Sequence, residues 1–466
     1  MQIIADLQLH SKYSRAVSKD MTISGIHAWA IKKGIDLVAT GDWTHPLWMK
    51  EIEANLEETG NGLLTIKPSA ISSQLSAKNP LFLLATEVSC IFSQGGKGRR
   101  VHTLVWVPTL DAAKKINKEM TRWGCNLVSD GRPIIGLSSI QFSELVFGIE
   151  EHALIIPAHV WTPWFGSYGS MSGFDSLEEQ FGPYANNIYA VETGLSSSPA
   201  MNWQIKELDN RAIVSFSDAH SGPKMGREAT VFEFADGHCS YRAIYDAIAK
   251  TMRHSDTETV RKKDFSSSQG EVVSSSQIAY TIEFYPEEGK YHFSGHRACN
   301  IRWGPQETKK QGIICPVCGK QLTQGVVQRV EELAARSEAD LQLSKTSLGM
   351  IYSKTFPDRP PFIMLVPLQE IIAECIGAPL MSPKTIKLYE KLINHFDGEF
   401  TVLLHASKEK IEEIAGARIA QGIEKVRRGD IIIDPGYDGV FGVVKLWNEG
   451  EEKPLVDHSK EQLTLF

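Results

Sequence analysis

What this 466-residue chain lacks narrows it first. No apolar run approaches the roughly 18 residues that a membrane helix needs. The opening MQIIADLQLH has none of the basic-then-apolar layout of a secretory signal. Both absences lead us to expect a cytoplasmic protein with no membrane partner. Positive charge is not in excess: 49 Lys and Arg against 56 Asp and Glu leave a net −7, so a nucleic-acid partner would need local basic patches. Cysteine is scarce, seven in all, with an odd count and irregular spacing that do not suit a disulfide framework. The single tight C-P-V-C pair suits a metal better. The length exceeds one core and suggests about three domains.

From residue 1 to about 250 a rhythm is present. Short apolar runs (IIADLQLH, DLVATGDWTH, LFLLATEVS, VHTLVWVP, ALIIPAHV, NIYAVETG, AIVSFSDAH) alternate with segments of helical period, among them TISGIHAWAIKKG, DAAKKINKEMTRW and PAMNWQIKELDN. Alternation of this kind predicts an α/β architecture with a largely parallel sheet, closed as a barrel of seven or eight units. Nearly every apolar run ends in Asp, Glu or His. The polar residues so placed are His10, Asp42, His45, Glu87, His102, His159, Glu192, Asp218 and His220. In a barrel, strand ends converge on one face, where sites are built. So many unpaired polar groups would be costly to bury for stability alone. Mixed imidazole and carboxylate donors suit zinc, manganese or iron, and their number suggests at least two ions.

A second metal pattern lies further on. His296-x2-Cys299 and Cys315-x2-Cys318 have the spacing of two knuckles closing a tetrahedral zinc site, with His292 as a substitute ligand. A unit of about 45 residues with little apolar content needs such a staple. With four protein ligands its role is expected to be structural. Cys90, Cys125, Cys239 and Cys375 lie in apolar contexts and read as core residues.

D-L-Q-L-H, T-G-D-W-T-H, the glutamate of TEVS, the histidine of RVHTL, PAHVW, VETG and SDAH fall in an order that resembles the PHP metallophosphoesterases. The resemblance covers about the first 250 residues and implies a distorted (β/α)7 barrel holding two or three metals. It departs at the first motif, usually D-x-H-x-H, where Gln8 stands in place of the first histidine. A glutamine carbonyl is at best a weak ligand there, which puts the three-metal version in doubt. Asp218 and His220 would hold metal and help transfer protons.

Further matches (WTPWFGSYGSMSGFDSLEEQFG, ETGLSSSPAMNW, SDAHSGPKMGREA and GYDGVFGVVK) resemble endonuclease Q through most of the chain. This implies a metal-dependent DNA repair endonuclease that hydrolyses the phosphodiester on the 5′ side of deaminated bases (uracil, hypoxanthine, xanthine) and abasic sites. Trp161, Trp164, Phe165 and Tyr168 could stack a flipped base, or simply roof the barrel. Lys97, Arg99 and Arg100 in the turn QGGKGRR, and Arg227, are candidate phosphate contacts. In EKIEEIAGARIAQGIEKVRRG, glycines and a basic run suit a helical hairpin on a DNA backbone, with Lys425, Arg427 and Arg428 as candidates. The ending QLTLF resembles the pentapeptide by which bacterial proteins bind the sliding clamp, through Gln462, Leu463, Leu465 and Phe466.

The expected organisation is therefore a PHP barrel at 1–253, a Ser-rich linker or loop at 254–279, a zinc-binding module at 280–326, a mostly helical DNA-binding domain at 327–450, and a flexible clamp-binding tail at 451–466. The expected ions are structural zinc in the module and two or more divalent ions (zinc, manganese or magnesium) in the barrel. Partners are damaged DNA and the clamp, in a bacterial, nucleoid-associated setting. Two other functions fit parts of the pattern. One is a non-catalytic clamp- and DNA-binding scaffold whose metal site has decayed at Gln8; the other is a small-molecule PHP phosphoesterase, which would leave the zinc module and clamp peptide without purpose.

Overall fold

The computed structural model describes residues 1–70, 79–235, 237–249 and 276–448. The first strands form where the apolar runs predict them: β1 (Gln2–Asp6), β2 (Leu37–Ala39) and β3 (Leu81–Gln94). They pair in parallel, Ala5 opposite Leu37 and Leu37 opposite Leu81. The helix Ile23–Lys33 joins β1 to β2, capped by Thr22, whose side chain accepts from Gly25 N, and ended by Gly34 at φ 77°. Its Ile23, Ile26 and Ala30 are buried at helical spacing.

Beyond β3 the sheet departs from the expected, largely parallel pattern. β4 (Lys97–Val107) runs antiparallel to β3 with Gln94 opposite Lys97, leaving Gly95 and Gly96 as a two-residue turn. Both glycines have positive φ, 60° and 73°, which such a turn demands and which removes any need for a crossover helix. β5 (Leu154–Pro157) is antiparallel to β4, and β8 (Ala229–Glu233) is antiparallel to β1. Between them β6 (Ala190–Glu192) and β7 (Ala212–Val214) make a separate parallel pair. Single bonds carry the path onward: Val160 N to Glu192 O, 3.1 Å, and Ser215 N to Thr230 Oγ1, 3.0 Å. The expected helix at PAMNWQIKELDN is reduced to Pro199–Asn202 and a 3-10 turn at Lys206–Leu208. Trp203 and Ile205, two apart, are both buried, which one helix face cannot arrange.

The domain limits also shift. β9 (Gln277–Glu283) pairs with β8, and β10 (Phe362–Met364) pairs with β9. Strands Leu343–Lys345 and Ile351–Ser353 extend the same sheet, so the mostly helical part begins near Leu368, not at 327. Five helices make it up, from Leu368–Ile376 to Ala417–Arg428. Lys33 Nζ meets Glu399 Oε2 at 2.7 Å, tying this helical part to the first helix through an ion pair exposed by only 2% and 4%. Residues 254–275 of the expected linker and the whole tail 451–466 lie outside the described residues. Among the described residues no helix is long and apolar enough to cross a membrane.

Candidate metal centre and DNA-facing residues

Two groups of ligand-type side chains lie at the rim. One is His10, Asp218 and His220; the other is Glu87, His102 and His159, each set with its ligand atoms within 4.8 Å of one another. Glu87 links them. Its Oε2 lies 3.1 Å from His10 Nε2, while its Oε1 lies 2.6 Å from His102 Nδ1 and 3.5 Å from His159 Nε2. His10 Nε2 is also 3.1 Å from Asp218 Oδ1. The β3–β4 register explains one of these meetings. Ser89 is opposite His102 and Glu87 opposite Leu104, which makes Glu87 and His102 diagonal neighbours on one face. These two residues therefore sit within long strands rather than at strand ends, a correction to the sequence expectation.

Backbone strain marks the same rim. Asp42, His159 and Asp218 all have left-handed φ (41°, 31° and 47°), which costs of order 1–3 kcal/mol each for such residues. Glycine makes room for two of them. A Cβ on Gly194 would come within 2.3 Å of His159 Cβ, and one on Gly131 within 2.3 Å of Asp42 Oδ2.

The charges are polarised. Glu87 is held ionised well below the usual carboxylate range: burial opposes this, but Arg132 and His102 beside it outweigh burial. Asp218 is likewise lowered, against burial, by its hydrogen bond to His10. His10, although buried, is raised well above its usual value by Asp42, Asp218 and Glu87. Burial, helped by Arg132 and His159, lowers His102 to about 4, leaving a neutral ring with a lone pair to offer. These donor sets fit divalent ions. His10, Asp218 and His220 would hold one, Glu87, His102 and His159 another, with Glu87 between them.

Three expected ligands fall outside both groups. Asp42 stands behind His10: Oδ1 is 3.1 Å from His10 Nδ1, and Oδ2 accepts from Ser11 N, Ser11 Oγ and Ser14 Oγ. It orients the ligand and fixes its tautomer. His45 is the N-cap of helix Pro46–Asn55 and stacks on Tyr13 at 4.5 Å. Glu192 accepts His159 N at 2.7 Å, and burial raises its carboxyl well above the usual range. Gln8 stands beside Glu87. Its Nε2 donates to Glu87 Oε2 at 2.9 Å, and its Oε1 is buried without a partner.

The sequence did not single out Arg132. Its NH1 lies 3.3 Å from Glu87 Oε1. The one signal was a Gly-Arg-Pro turn before a short apolar pair, too common to stand out.

The expected DNA contacts divide. Lys97 and Arg100 are exposed, whereas Arg99 is buried, donates to Gly173 O and pairs with Glu179 at 2.6 Å. It fastens the 161–174 loop to β4 instead of facing solvent. Trp161 and Tyr168 are also core: Trp161 Nε1 donates to Asn202, and Tyr168 OH to Glu207. Trp164 and Phe165 remain half-buried, and the Phe165 ring lies 4.5 Å from that of His102. Arg227 donates to Ser217 O at 2.8 Å and so steadies the Asp218 strand end. Arg427 donates to the carbonyls of Leu403, Val402 and Ala406 near the end of helix Glu399–Leu404. Lys425 lies over Trp447 and pairs with Asp430. Only Arg428 of that trio is exposed. Gln462, Leu463, Leu465 and Phe466 lie outside the described residues.

In the small unit, His296, Cys299, Cys315 and Cys318 converge as a set, with Cys318 Sγ 3.3 Å from His296 Nδ1. Burial works against it, yet hydrogen bonds from Cys318 N and His296 lower the Cys315 thiol to about 6, as a thiolate ligand requires. His292 is buried outside this set.

The fold and its rim describe an α/β protein whose clustered side chains fit divalent ions. Comparison with known proteins narrows this. Residues 367–430 match the family described as the MJ0043 C-terminal domain. An uncharacterized protein, MJ0043, of Methanocaldococcus jannaschii is 30% identical over 308 residues, 66% of this chain and 33% of that one. The present chain thus spans about a third of that relative. The lesion-specific endonuclease PfuEndoQ of Pyrococcus furiosus superposes with a TM-score of 0.76 at 29% identity, over 96% of this chain and 95% of its own. Endonuclease Q in complex with a 27-mer duplex bearing an abasic lesion at the active site gives the same TM-score and identity, over 97% and 99%. Over nearly its whole length the chain is thus similar to endonuclease Q.

Proposed function

We propose that the protein is a metal-dependent DNA repair endonuclease that cuts the backbone of damaged duplexes, on the 5′ side of abasic sites and deaminated bases. The observation that carries this is the pair of ligand triads joined through Glu87. It lies in a chain that matches, over nearly its whole length, an endonuclease Q holding an abasic duplex. Bound ions would supply an activated water and neutralise charge on the phosphate. The protein's own part is to hold the donors. Asp42 would keep the His10 proton on Nδ1 once an ion takes the place of the Nε2 proton, on the side that faces Glu87 and Asp218. His220 Nδ1 donates to Asp218 O at 2.9 Å, leaving Nε2 free at the half-exposed rim to bind or move a proton. Trp164 and Phe165 are the aromatic faces left for a displaced base.

The finer barrel description, a distorted (β/α)7 ring, fits the strand path from β1 round to β8. Zinc is the ion best suited to the set of one histidine and three cysteines in the small unit. The tail QLTLF remains the proposed clamp-binding peptide; deleting 462–466 should abolish clamp capture while leaving cleavage of short duplexes unchanged.

The test uses end-labelled duplexes carrying one abasic site, one uracil, one hypoxanthine or none, with Mg2+ or Mn2+. A nick 5′ of each lesion, absent from intact DNA, is the expected result. Binding of DNA and clamp without cutting would favour the scaffold, and hydrolysis of small phosphate esters alone the small-molecule phosphoesterase.

A further inference from the structure

Arg132 reaches the rim on a segment locked to it from both sides. Gly131 N donates to Tyr13 O at 3.1 Å, and Gly131 O accepts from Thr44 Oγ1 at 3.2 Å. Ser89 N donates to Pro133 O at 3.0 Å, and Ile134 then pairs with Ser89. Gly131 fits so closely over Asp42 and Ser14 that a Cβ there would lie 2.3 Å from Asp42 Oδ2 and 2.4 Å from Ser14 Oγ. Asp42 is the residue that orients His10. The position of the arginine is thus set by the same groups that set the ligands.

Its side chain is 27% exposed where Glu87 is 1% exposed, so the arginine runs from solvent to a buried carboxylate at the rim. Among the described residues the guanidinium's one hydrogen bond is from NH1 to Glu87 Oε1, 3.3 Å. A guanidinium offers five N–H donors in a planar fork matched to phosphate oxygens. A cation is also an odd neighbour for an ion-binding carboxylate. It competes with the ions for Glu87 unless it has another task.

We propose that Arg132 is a catalytic residue of this centre, donating to a non-bridging oxygen of the scissile phosphate. In the hydrolysis a water oxygen bonds to phosphorus and the bond from phosphorus to the leaving sugar oxygen breaks. The water gives up a proton, and the leaving oxygen gains one. Arg132 keeps all its protons and opposes the charge that builds on the non-bridging oxygens, where a fixed donor is worth most. This rests on the endonuclease reading above.

The test is steady-state cleavage of an abasic duplex by the full chain at saturating Mn2+, with bound ions counted in parallel. Arg132→Ala should lower kcat about 100- to 1,000-fold, with KM changed little and ion stoichiometry kept. Added guanidinium ion should restore part of the loss, and Arg132→Lys should fall between. A mere neutraliser of Glu87 would instead change ion affinity and leave kcat at saturating ion intact, which would overturn the proposal. Equal unfolding midpoints for wild type, Arg132→Lys and Arg132→Gln separate the effect from misfolding. If wild type cuts and Arg132→Ala cuts as fast, the arginine assignment fails alone. If wild type cuts no DNA, both readings fail.

Discussion

Replacing Asp42 by Asn changes one atom and should disable the centre through its neighbour. Asp42 sits at φ 41°, a conformation asparagine tolerates well, so the backbone should persist. Its Oδ2 accepts three donors, from Ser11 N, Ser11 Oγ and Ser14 Oγ, and an amide nitrogen placed there would leave donor facing donor. The new N–H2 must therefore point the other way, at His10 Nδ1, now 3.1 Å from Oδ1. A donor there forces the His10 proton onto Nε2, the nitrogen aimed at Glu87 and Asp218. Wrong-tautomer imidazole cannot ligate. Loss of such an orienting partner typically costs 10- to 100-fold in ion affinity, roughly 1.4–2.7 kcal/mol. Calorimetric titration of metal-stripped protein with Mn2+ reads this directly. Unchanged affinity in a folded Asp42→Asn protein would refute the orienting role.

Single contacts elsewhere carry further expectations. Lys33→Met would leave Glu399 buried without its cation, although Tyr389 OH and Leu368 N still donate to it; a loss of about 3–5 kcal/mol in chemical denaturation is expected. Loss of under 1 kcal/mol would show that water reaches the pair. Burial raises Glu283 from 4.5 to about 7, with the buried Glu228 coupled to it across β8 and β9. A raised acid contributes stability that is complete below pH 4.5 and lost as pH rises through about 7. Glu283→Gln should therefore flatten the thermal stability profile between pH 5 and 8, by on the order of 1–3 kcal/mol at the alkaline end; parallel profiles would contradict this. Cys318→Ser should remove one tightly held ion per chain and loosen the small unit in limited proteolysis. An unchanged ion count would sink the four-ligand site.

How much of this was legible in the sequence depended on period. Alternating polar residues after an apolar run gave Asp6, Gln8 and His10, and six of the nine expected rim ligands do come together in two groups. Asp42, His45 and Glu192 have the right chemistry in the right place, but Asp42 meets hydroxyls, a backbone N–H and His10, Glu192 meets the backbone N–H of His159, and His45 stacks on Tyr13. No sequence pattern tells a ligand from the residue behind it. Gln8 could be seen as a departure; that its amide donates to Glu87 depended on the fold. The loop aromatics failed for a related reason. Trp161 and Tyr168 sit among glycines, which looks exposed, yet each is buried and finds an acceptor, Asn202 and Glu207, more than thirty residues away. The β3–β4 hairpin was written in Ser-Gln-Gly-Gly-Lys, a two-glycine turn signal overshadowed by the basic run after it. The small unit with His296, Cys299, Cys315 and Cys318 was the most legible part, because spacing alone puts two knuckles within reach of each other.

The central claim is that the two triads joined by Glu87 form one ion-loaded centre that cuts damaged DNA. It is tested most directly by titrating metal-stripped protein with Mn2+ while following nicking of a single-abasic duplex, beside Glu87→Gln. The account predicts that nicking rises with rim occupancy, at one position 5′ of the lesion, and that Glu87→Gln loses ions and cutting together. Nicking that persists at full rate in Glu87→Gln, or in metal-stripped protein held in chelator, would contradict it.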